Sequence, residues 1–547
     1  MLARTLATIL VALGTAPLVL AADPYPITGA PVPRGTKAVP LRMNINEMQA
    51  AGGPQWDLYI RALSDMQRVN YRDTLSYFQI SGIHGKPYIE WNQTGRQAYD
   101  DWAGYCPHGE QLFLSWHRPY ILLFEQVLVS HAKRIALSYP PSHRQRYVQA
   151  AESLRSPFWD WAAVTQVPPA TVPAKMTVNF PNGQGLQKRQ VDNPLATYAI
   201  PPAVLAGEYG VFDNESRPRI LHCPAPDSQP ASANQRLAQR PYRQWVYDIF
   251  TRATNFSDFS TRSNTVVALE VIHNSVHWDA ACGQQFVMTE LAGFDPLFML
   301  HHTNIDRLWS YWQALRPGQA SFSGSYVGGS RFTVPSGTTI TPRSPLQPFY
   351  SGGRTTHTTE SVRSIRSFGY SYAGLEYWNK SDAQMAQDTK RLVNRLYAPN
   401  AGALRRRQQP ASRKRYFARI RLDRAHVPKP CQINLFVRGQ LASSIVVAAQ
   451  PPTGPMAAGV PLDRITQSAE MTALSSNATA ELLQSDLTVQ VVRLDGSVVS
   501  SVASLEVKLE EVQVTQPVSK DQFPQYGASK ILPIDAKSAL ERGSANS

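Results

Sequence analysis

The sequence is poor in cysteine, with four in 547 residues, and after its first residues it has no long uninterrupted apolar run. So few cysteines exclude a disulfide-rich scaffold, and the missing apolar run excludes a membrane-spanning chain. Charged residues make up 17% and hydrophobic residues 43%, which excludes a disordered or fibrous protein. The length exceeds one ordinary domain and predicts a large core with a second domain.

The net charge of +14 is unevenly spread, because much of the basic excess lies in one stretch rich in Pro, Gln and Ser. The basic residues of this stretch are Arg405, Arg406, Arg407, Arg413, Lys414, Arg415, Arg419 and Arg421. Such a local run is typical of a solvated, cleavable linker, and no nucleic-acid-binding motif accompanies it. We therefore expect no nucleic-acid partner.

The first residues have the pattern of a secretory signal. Arg4 precedes an apolar stretch from Leu6 to Leu20, and two small residues follow. This pattern predicts a signal peptide at residues 1–22 and a secreted, extracellular protein. The sequence also contains five Asn-x-Ser/Thr sequons, which are glycosylation acceptors in secreted proteins, at Asn92, Asn214, Asn255, Asn379 and Asn477.

Helical patterns dominate from Trp56 to about Trp312. The three clearest predicted helices lie within residues 115–139, with Ser115 as a candidate N-cap, and at residues 265–281 and 295–315. Long helices in a loop-rich shell predict a mainly α catalytic domain over residues 23–398, built as a four-helix bundle with its chemistry between the helices.

The pattern changes after residue 398. Residues 399–415 are rich in Gly, Arg, Gln, Pro and Ser, which predicts a basic, cleavable linker. Short alternating apolar runs follow, among them RYFARIRL, CQINLFVRG and SSIVVAA. Their period of two predicts a C-terminal β-sandwich over residues 416–516. Residues 517–547 are predicted to form an irregular tail.

Seven of the twelve histidines fall into two groups, which are His84, His108 and His117, and then His273, His277, His301 and His302. His273 and His277 are four residues apart on one predicted helix, so they share a face and can hold one metal ion. Asn274 stands where the zinc-protease motif requires Glu. The adjacent pair His301–His302 can complete a triplet, but the sequence alone does not choose between its members.

Two triplets of histidines without paired carboxylates suit metals that prefer imidazole, copper prominent among them. Zinc remains an alternative for one triplet, but two triplets that face each other favour a dinuclear copper pair. The simpler alternative for any single histidine is a hydrogen-bonded residue of the core.

Six local sequences are distinctive: FQISGIHGKPY, YCPHGEQLFLSWHRPYILLFEQ, PFWDW, EVIHNSVHWD, FDPLFMLHHTNIDRLW and GYSYAGLEYW. In order and spacing they resemble the signature blocks of the tyrosinase family, from about Gly53 to Trp378. The β-rich remainder resembles the C-terminal domain of fungal pro-tyrosinases. The resemblance implies a type-3 dicopper oxidase with O2 as co-substrate, which hydroxylates monophenols at the ortho position and oxidises o-diphenols to o-quinones.

The resemblance also assigns site residues. It makes His84, His108 and His117 the ligands of one copper, called copper A, and His273, His277 and His302 the ligands of the other, called copper B. His301 is then a neighbour of the site. Cys106 matches a cysteine that fungal members cross-link by a thioether to the ring corresponding to His108; the alternatives are an ordinary buried cysteine or half of a disulfide. If Cys106 forms this thioether, Cys223–Cys282 is the expected disulfide and Cys431 is left unpaired.

A monophenol must lose a proton with a pKa near 10, which costs about 4 kcal/mol at pH 7. Glu270 and Asn274 resemble the family's pair that holds a water able to take this proton. The alternative for Glu270 is a surface or salt-bridged carboxylate. Asn274 favours a tyrosinase over a catechol oxidase with little monophenolase activity, which stays the nearest rival. A haemocyanin-type oxygen carrier and a copper-free relative are more distant alternatives.

In the family, a side chain of the C-terminal domain occupies the substrate pocket, so we expect a latent proenzyme activated by a protease at Arg405-Arg406-Arg407 or Arg413-Lys414-Arg415. The candidate shielding side chains are Phe417, Phe436, Phe523 and Tyr526. The candidate gate residues over copper B are Met288, Thr289 and Leu291. The expected substrates are small phenols and catechols.

Charged residues in apolar contexts are expected to pair with each other, namely Arg118, Asp160, Asp306 and Arg307. Tyr370 and Tyr372 resemble the motif that closes the catalytic domain.

Overall fold

A computed structural model describes residues 23–33, 35–97, 102–399, 411–535 and 539–540. The predicted signal peptide, residues 1–22, and most of the predicted linker, including Arg405-Arg406-Arg407, lie outside the described residues.

The helices of the described residues are, in chain order, α1 (Ile45–Ala51), α2 (Gly53–Arg68), α3 (Tyr77–Gly82), α4 (Phe113–Ala136), α5 (Pro141–Ser153), α6 (Pro202–Leu205), α7 (Ala231–Gln239), α8 (Tyr242–Thr251), α9 (Phe256–Ser260), α10 (Leu269–Ala281), α11 (Pro296–Leu315), α12 (Thr359–Val362), α13 (Asp382–Tyr397), α14 (Asp463–Thr466), α15 (Ala469–Thr472) and α16 (Ser476–Asp486). The strands are β1 (Lys175–Asn182), β2 (Gly185–Asp192), β3 (Tyr326–Val327), β4 (Thr339–Ile340), β5 (Tyr350–Gly352), β6 (Thr355–Thr356), β7 (Ser412–Asp423), β8 (Cys431–Val437), β9 (Gln440–Val447), β10 (Pro455–Pro461), β11 (Leu487–Arg493), β12 (Val498–Val499), β13 (Glu506–Thr515) and β14 (Gln525–Pro533).

The long helices α2, α4, α10 and α11 form the centre of the catalytic domain, which confirms the predicted helical bundle. Helix α4 packs against both α2 and α11. The predicted N-cap Ser115 is wrong, because α4 begins at Phe113 and the Ser115 hydroxyl donates to the Leu112 carbonyl. Asp295 caps α11 by accepting the Leu297 N–H, so that helix begins where its sequence predicts.

A buried ion network holds the bundle together. Asp306 on α11 accepts hydrogen bonds from Arg118 on α4 at 2.6 Å and from Arg42 at 3.0 Å. Tyr370 and Tyr372 donate to the same carboxylate at 2.8 and 2.7 Å. Because buried charges require such partners, the expected pairing of charged residues and the closing role of the two tyrosines are both realised. Arg307 pairs with Asp160 at 2.9 Å in the same way.

The C-terminal domain contains two four-stranded antiparallel sheets, with strand orders β10-β7-β13-β14 and β12-β11-β8-β9. This confirms a sheet-rich second domain but corrects two boundaries. The predicted linker, residues 399–415, overlaps the first strand, which begins at Ser412. The predicted irregular tail, residues 517–547, contains β14, which pairs with β13 at the edge of its sheet.

The two domains approach each other closely at Gly459 in β10. The Gly459 N–H donates to the Val266 carbonyl at 2.9 Å, and a Cβ at this position would lie 2.3 Å from the Thr265 carbonyl carbon. Only a glycine fits, so the backbone of the C-terminal domain rests directly on the segment that leads into α10. In the described part of the chain, none of the helices has the length and apolarity needed to cross a membrane.

Candidate metal centre

The first histidine triplet comes from three different segments of the catalytic domain. His84 follows α3, His108 lies in the loop before α4, and His117 lies in the second turn of α4. The centroid of the His84 ring is 5.3 Å from that of His108 and 5.7 Å from that of His117. The chain therefore brings together the three residues that the family resemblance assigned to copper A.

The second triplet lies on two helices. His273 and His277 are one turn apart on α10, and His302 lies on α11. The Nε2 atom of His273 is 3.1 Å from Nε2 of His277 and 3.1 Å from Nε2 of His302. Three ring nitrogens converge on one small volume, which is the arrangement that a single metal ion requires.

The two triplets face each other. The His117 and His302 rings stack with centroids 4.4 Å apart, and the His108 and His273 centroids are 6.1 Å apart. Phe113 and Phe298 pack against rings of both triplets and keep the surroundings apolar.

The outer ring nitrogens are held by carbonyl groups. The Nδ1 atoms of His84, His117 and His277 donate to the carbonyls of Thr289, Phe113 and Phe286 at 2.9, 2.7 and 2.6 Å, respectively. A ring whose Nδ1 donates a proton has its lone pair on Nε2. The Nε2 atoms of His84 and His117 are buried and have no hydrogen-bond partner among the described residues. Each of these Nε2 atoms is an acceptor without a partner, and a carbonyl bonded to Nδ1 on the opposite side fixes the ring. Acceptors held in this way fit metal ions.

Burial also keeps these rings neutral. It lowers the pKa of His117 to about 3 and that of His277 to about 4. It lowers the pKa of His84, His273 and His302 well below the ordinary histidine value as well. Neutral imidazoles are the form that binds copper, so the donor set needs no deprotonation at neutral pH.

His301 lies beside the second triplet and can be distinguished from His302. Its Nδ1 accepts the indole N–H of Trp161 at 2.9 Å, whereas His302 directs Nε2 at His273. All four histidines place a ring nitrogen within 4.8 Å of the others. The bond from Trp161 gives His301 a core partner, which favours His302 as the ligand.

Cys106 is a buried thiol whose Sγ lies 3.4 Å from Nδ1 of His108. Burial raises the pKa of this thiol well above its ordinary value. Cys223 and Cys282 form the predicted disulfide, and Cys431 is a buried thiol in β8. The expected Cys223–Cys282 disulfide is therefore present and Cys431 is left unpaired as expected, whereas the thiol of Cys106 lies next to the ring to which the cross-link is expected.

Glu270 and Asn274 lie on α10, on either side of His273. One Glu270 oxygen accepts the Gly109 N–H at 2.6 Å, and the other is buried with no partner in the described part of the chain. Burial raises the pKa of Glu270 to about 8, against the opposing effects of the Gly109 hydrogen bond and the charge of Arg424. The Asn274 side-chain oxygen accepts the Nδ1 proton of His273 at 2.9 Å.

A small cavity of about 20 Å³ lies over the histidines, and side chains from both domains line it. The catalytic domain contributes Asn274, Val287 and Thr289, so of the three candidate gate residues Thr289 reaches the cavity and Val287 was missed. The C-terminal domain contributes Val446 at the end of β9 and Ala448 just beyond it. We call Val446 and Ala448 the plug.

The four aromatic candidates for shielding are wrong, because none belongs to the lining of this cavity among the described residues. Phe417 is buried under the guanidinium of Arg252, and Phe523 packs against Tyr247 on α8. The Tyr526 hydroxyl accepts a bond from Arg415, and Phe436 pairs with Thr488 within its sheet. A short aliphatic plug has no signature in the sequence, since β9 resembles any other core strand.

A helical bundle with two facing triplets of neutral, buried imidazoles defines the class of dicopper proteins. The family model for the common central domain of tyrosinase matches residues 74–315. The tyrosinase of Podospora anserina is 30% identical over 466 residues, which cover 80% of this chain and 76% of that relative. The chain belongs to the tyrosinase family, and it is a copper oxidoreductase of the tyrosinase and polyphenol oxidase type with a type-3 pair of copper ions.

Solved structures agree with this fold. Recombinant mushroom tyrosinase has a TM-score of 0.80 at 22% identity, and the match covers 94% of this chain and 99% of that one. A mutant of the pro-tyrosinase of Aspergillus oryzae has a TM-score of 0.71 at 20% identity, and the match covers 95% of this chain and 100% of that one. Both matches extend over the helical and the sheet-rich domains.

Proposed function

We propose that this protein is a tyrosinase in the strict sense, which hydroxylates monophenols as well as oxidising o-diphenols to o-quinones. His84, His108 and His117 hold copper A, and His273, His277 and His302 hold copper B. The observation that carries the monophenolase assignment is the position of Asn274 and Glu270, which flank the copper B histidine His273 on the same helix. When bound, the copper pair supplies the activation of O2.

Asn274 contributes in two ways. Its side-chain oxygen fixes the proton of His273 on Nδ1, which leaves Nε2 free to bind metal. Asn274 also lines the cavity above the histidines, where a phenol has to enter. Its amide is therefore placed to bind a water at the mouth of the site.

Glu270 is the proposed acceptor of the phenol's proton, through such a water. In the metal-free protein its raised pKa means that it is largely protonated at neutral pH. Two nearby cations lower the pKa of a carboxyl group, so copper binding favours the ionised form that can act as a base. Gly109 holds one oxygen in place, and the other remains for the water.

The rival function is that of a catechol oxidase, and Asn274→Gly separates the two. If Asn274 supports proton transfer, the variant loses turnover of tyrosine at least about tenfold more than turnover of catechol. The matched control is Ser275→Gly, which introduces the same helix-weakening residue next to the site without a bond to His273. An equal loss on both substrates in Asn274→Gly would contradict the monophenolase assignment.

The proposed enzyme is made in a latent form that a protease activates. The plug leaves a cavity of about 20 Å³, too small for a phenol ring. Buried polar contacts hold the plug's domain in place. Arg240 of the catalytic domain donates to the carbonyl and hydroxyl oxygens of Ser444 in β9 at 2.7 and 2.6 Å, and Arg252 pairs with Glu510 at 2.6 Å.

Secretion is part of the proposal. Four of the five sequon asparagines, Asn214, Asn255, Asn379 and Asn477, are exposed. The Asn92 side chain is already bonded to both backbone groups of Tyr25, at 2.6 and 3.0 Å, and Asn255 caps α9. Glycans are therefore expected at the three remaining asparagines, Asn214, Asn379 and Asn477.

A further inference from the structure

The loop between α10 and α11 holds one histidine from each copper site. The Phe286 carbonyl accepts the Nδ1 proton of His277 at 2.6 Å, and the Thr289 carbonyl accepts that of His84 at 2.9 Å. The two carbonyls are three residues apart. The position of this loop is therefore linked by hydrogen bonds to one ring in each triplet.

A second segment, residues 213–223, contacts the outer side of this loop. We call this segment the clasp. The disulfide joins Cys223 of the clasp to Cys282 at the end of α10. Arg217 of the clasp donates to the Gln284 side chain at 3.2 Å and to the Met288 sulfur at 3.4 Å. The Nε and Nη2 atoms of Arg217 each donate a hydrogen bond to the Asp213 carboxylate at 2.8 Å. This bidentate pair fixes the orientation of the guanidinium.

Gln285 is the central contact between clasp and loop. Its side chain is buried, accepts the Leu221 N–H at 3.1 Å, and donates to the Arg219 carbonyl at 3.1 Å and to Asp213 at 3.4 Å. Gln285 immediately precedes Phe286, whose carbonyl orients His277. The hydrogen bonds of this amide side chain thus anchor the residue directly before that carbonyl.

We propose that Gln285, held by the clasp, is a positioning residue that sets the orientation of His277 and His84 and thereby couples the two copper sites. The inference rests on the proposed assignment of these histidines as ligands. Gln285 does not touch the metal ions or the substrate. Its effect passes through the loop, as partners of metal ligands do when they fix ring orientation.

The test compares Gln285→Ala with Asn193→Ala in full-length, copper-loaded protein. Asn193 is a matched control, because it is also buried and makes three hydrogen bonds, to Ala170, Pro173 and Leu195, in a loop without a hydrogen bond to any of the proposed ligands. The readouts are the rate at which each copper is lost to an excess of chelator and the unfolding temperature of the metal-free protein. We expect Gln285→Ala to lose both coppers about tenfold faster than Asn193→Ala, with similar decreases in unfolding temperature.

Equal rates of copper loss in the two variants would overturn the proposal. Faster loss of only one copper would overturn the coupling of the sites. If Gln285→Ala does not fold, Gln285→Met replaces it, since methionine keeps most of the side-chain volume but loses the hydrogen bonds to Leu221, Asp213 and Arg219, and the same comparison applies. A wild-type protein that binds no copper would instead refute the proposed ligand set, which keeps the two failures distinct.

Discussion

Arg415, at the start of the C-terminal domain, donates two hydrogen bonds to the carboxylate of Asp248 on α8, at 2.7 and 2.9 Å. The same guanidinium is bonded to Asp463 at 2.6 Å and is buried. One of the two predicted protease sites, Arg413-Lys414-Arg415, is therefore part of a paired strand that joins the domains. A protease must bind its target in an extended, accessible form, so this site is protected.

Limited digestion of the native protein by a trypsin-like protease should cut at Arg405-Arg406-Arg407 and spare Arg413-Lys414-Arg415. The mass and N-terminal sequence of the C-terminal fragment locate the cut. Asp248→Asn removes one of the two buried ion pairs of Arg415, the one that joins the domains, and should increase cutting after Arg415. Equal cutting at both sites in the wild-type protein would show that Arg415 is not held.

The position of Cys106 next to His108 leads to a mass prediction. If the thioether forms, the peptide that joins Cys106 and His108 is lighter by two hydrogens. Cys106 then resists alkylation after the copper-loaded protein has been unfolded. Cys431 serves as the internal control, because it is also a buried thiol but belongs to none of the histidine clusters among the described residues, so it should alkylate fully once unfolded. An alkylated Cys106 in protein that has bound copper would contradict the cross-link.

The plug can be tested without a protease. Val446→Ala removes two methyl groups from the lining of the cavity, so uncut protein should oxidise small catechols several-fold faster than wild type. Val447→Ala is the matched control, since neighbouring side chains of a strand point to opposite faces and Val447 belongs to the hydrophobic core. Increased catechol oxidation in both variants would indicate general loosening instead of an opened site.

The raised pKa of Glu270 predicts a pH dependence of stability in the metal-free protein. Between the ordinary pKa of 4.5 and about 8, the folded state holds a proton on Glu270 that the unfolded state has lost. Stability from this group is therefore present at low pH and falls as pH rises through that window, by about 5 kcal/mol at most.

Glu270→Gln keeps an acceptor for Gly109 but cannot ionise. The unfolding temperatures of the metal-free wild type and this variant should therefore be similar at pH 5 and diverge by pH 8.5, with the wild type the less stable. Parallel curves across this range would show that Glu270 is ionised in the folded protein.

The sequence predicted α10 and α11 because their apolar periodicity and the cap at Asp295 are local signals. It paired His273 with His277 because four residues make one helical turn. His84 and His108 lie outside helices, so no periodicity relates them to the site, and only the family resemblance assigned them. Strand β14 was missed because it is an edge strand whose residues are mostly exposed, which removes the alternating apolar pattern.

The interface between the domains was the least predictable part. In the sequence, Arg415 has the pattern of an exposed linker residue. In the structure it is bonded to Asp248, which lies 167 residues away in the chain. The plug was missed for the same reason, because Val446 lies over the histidines only through the docking of one domain on the other. Contacts of this kind depend on surface complementarity between distant segments, which local patterns do not encode.

Oxygen consumption by the copper-loaded protein, measured before and after cleavage of the linker, tests the central claim most directly. The substrates are tyrosine and catechol, and the copper content is determined in the same samples. The account predicts two coppers per chain, little consumption by uncut protein, and rapid consumption with both substrates after cleavage at constant copper content. Cleaved protein with two coppers that consumes oxygen with catechol but not with tyrosine would contradict it.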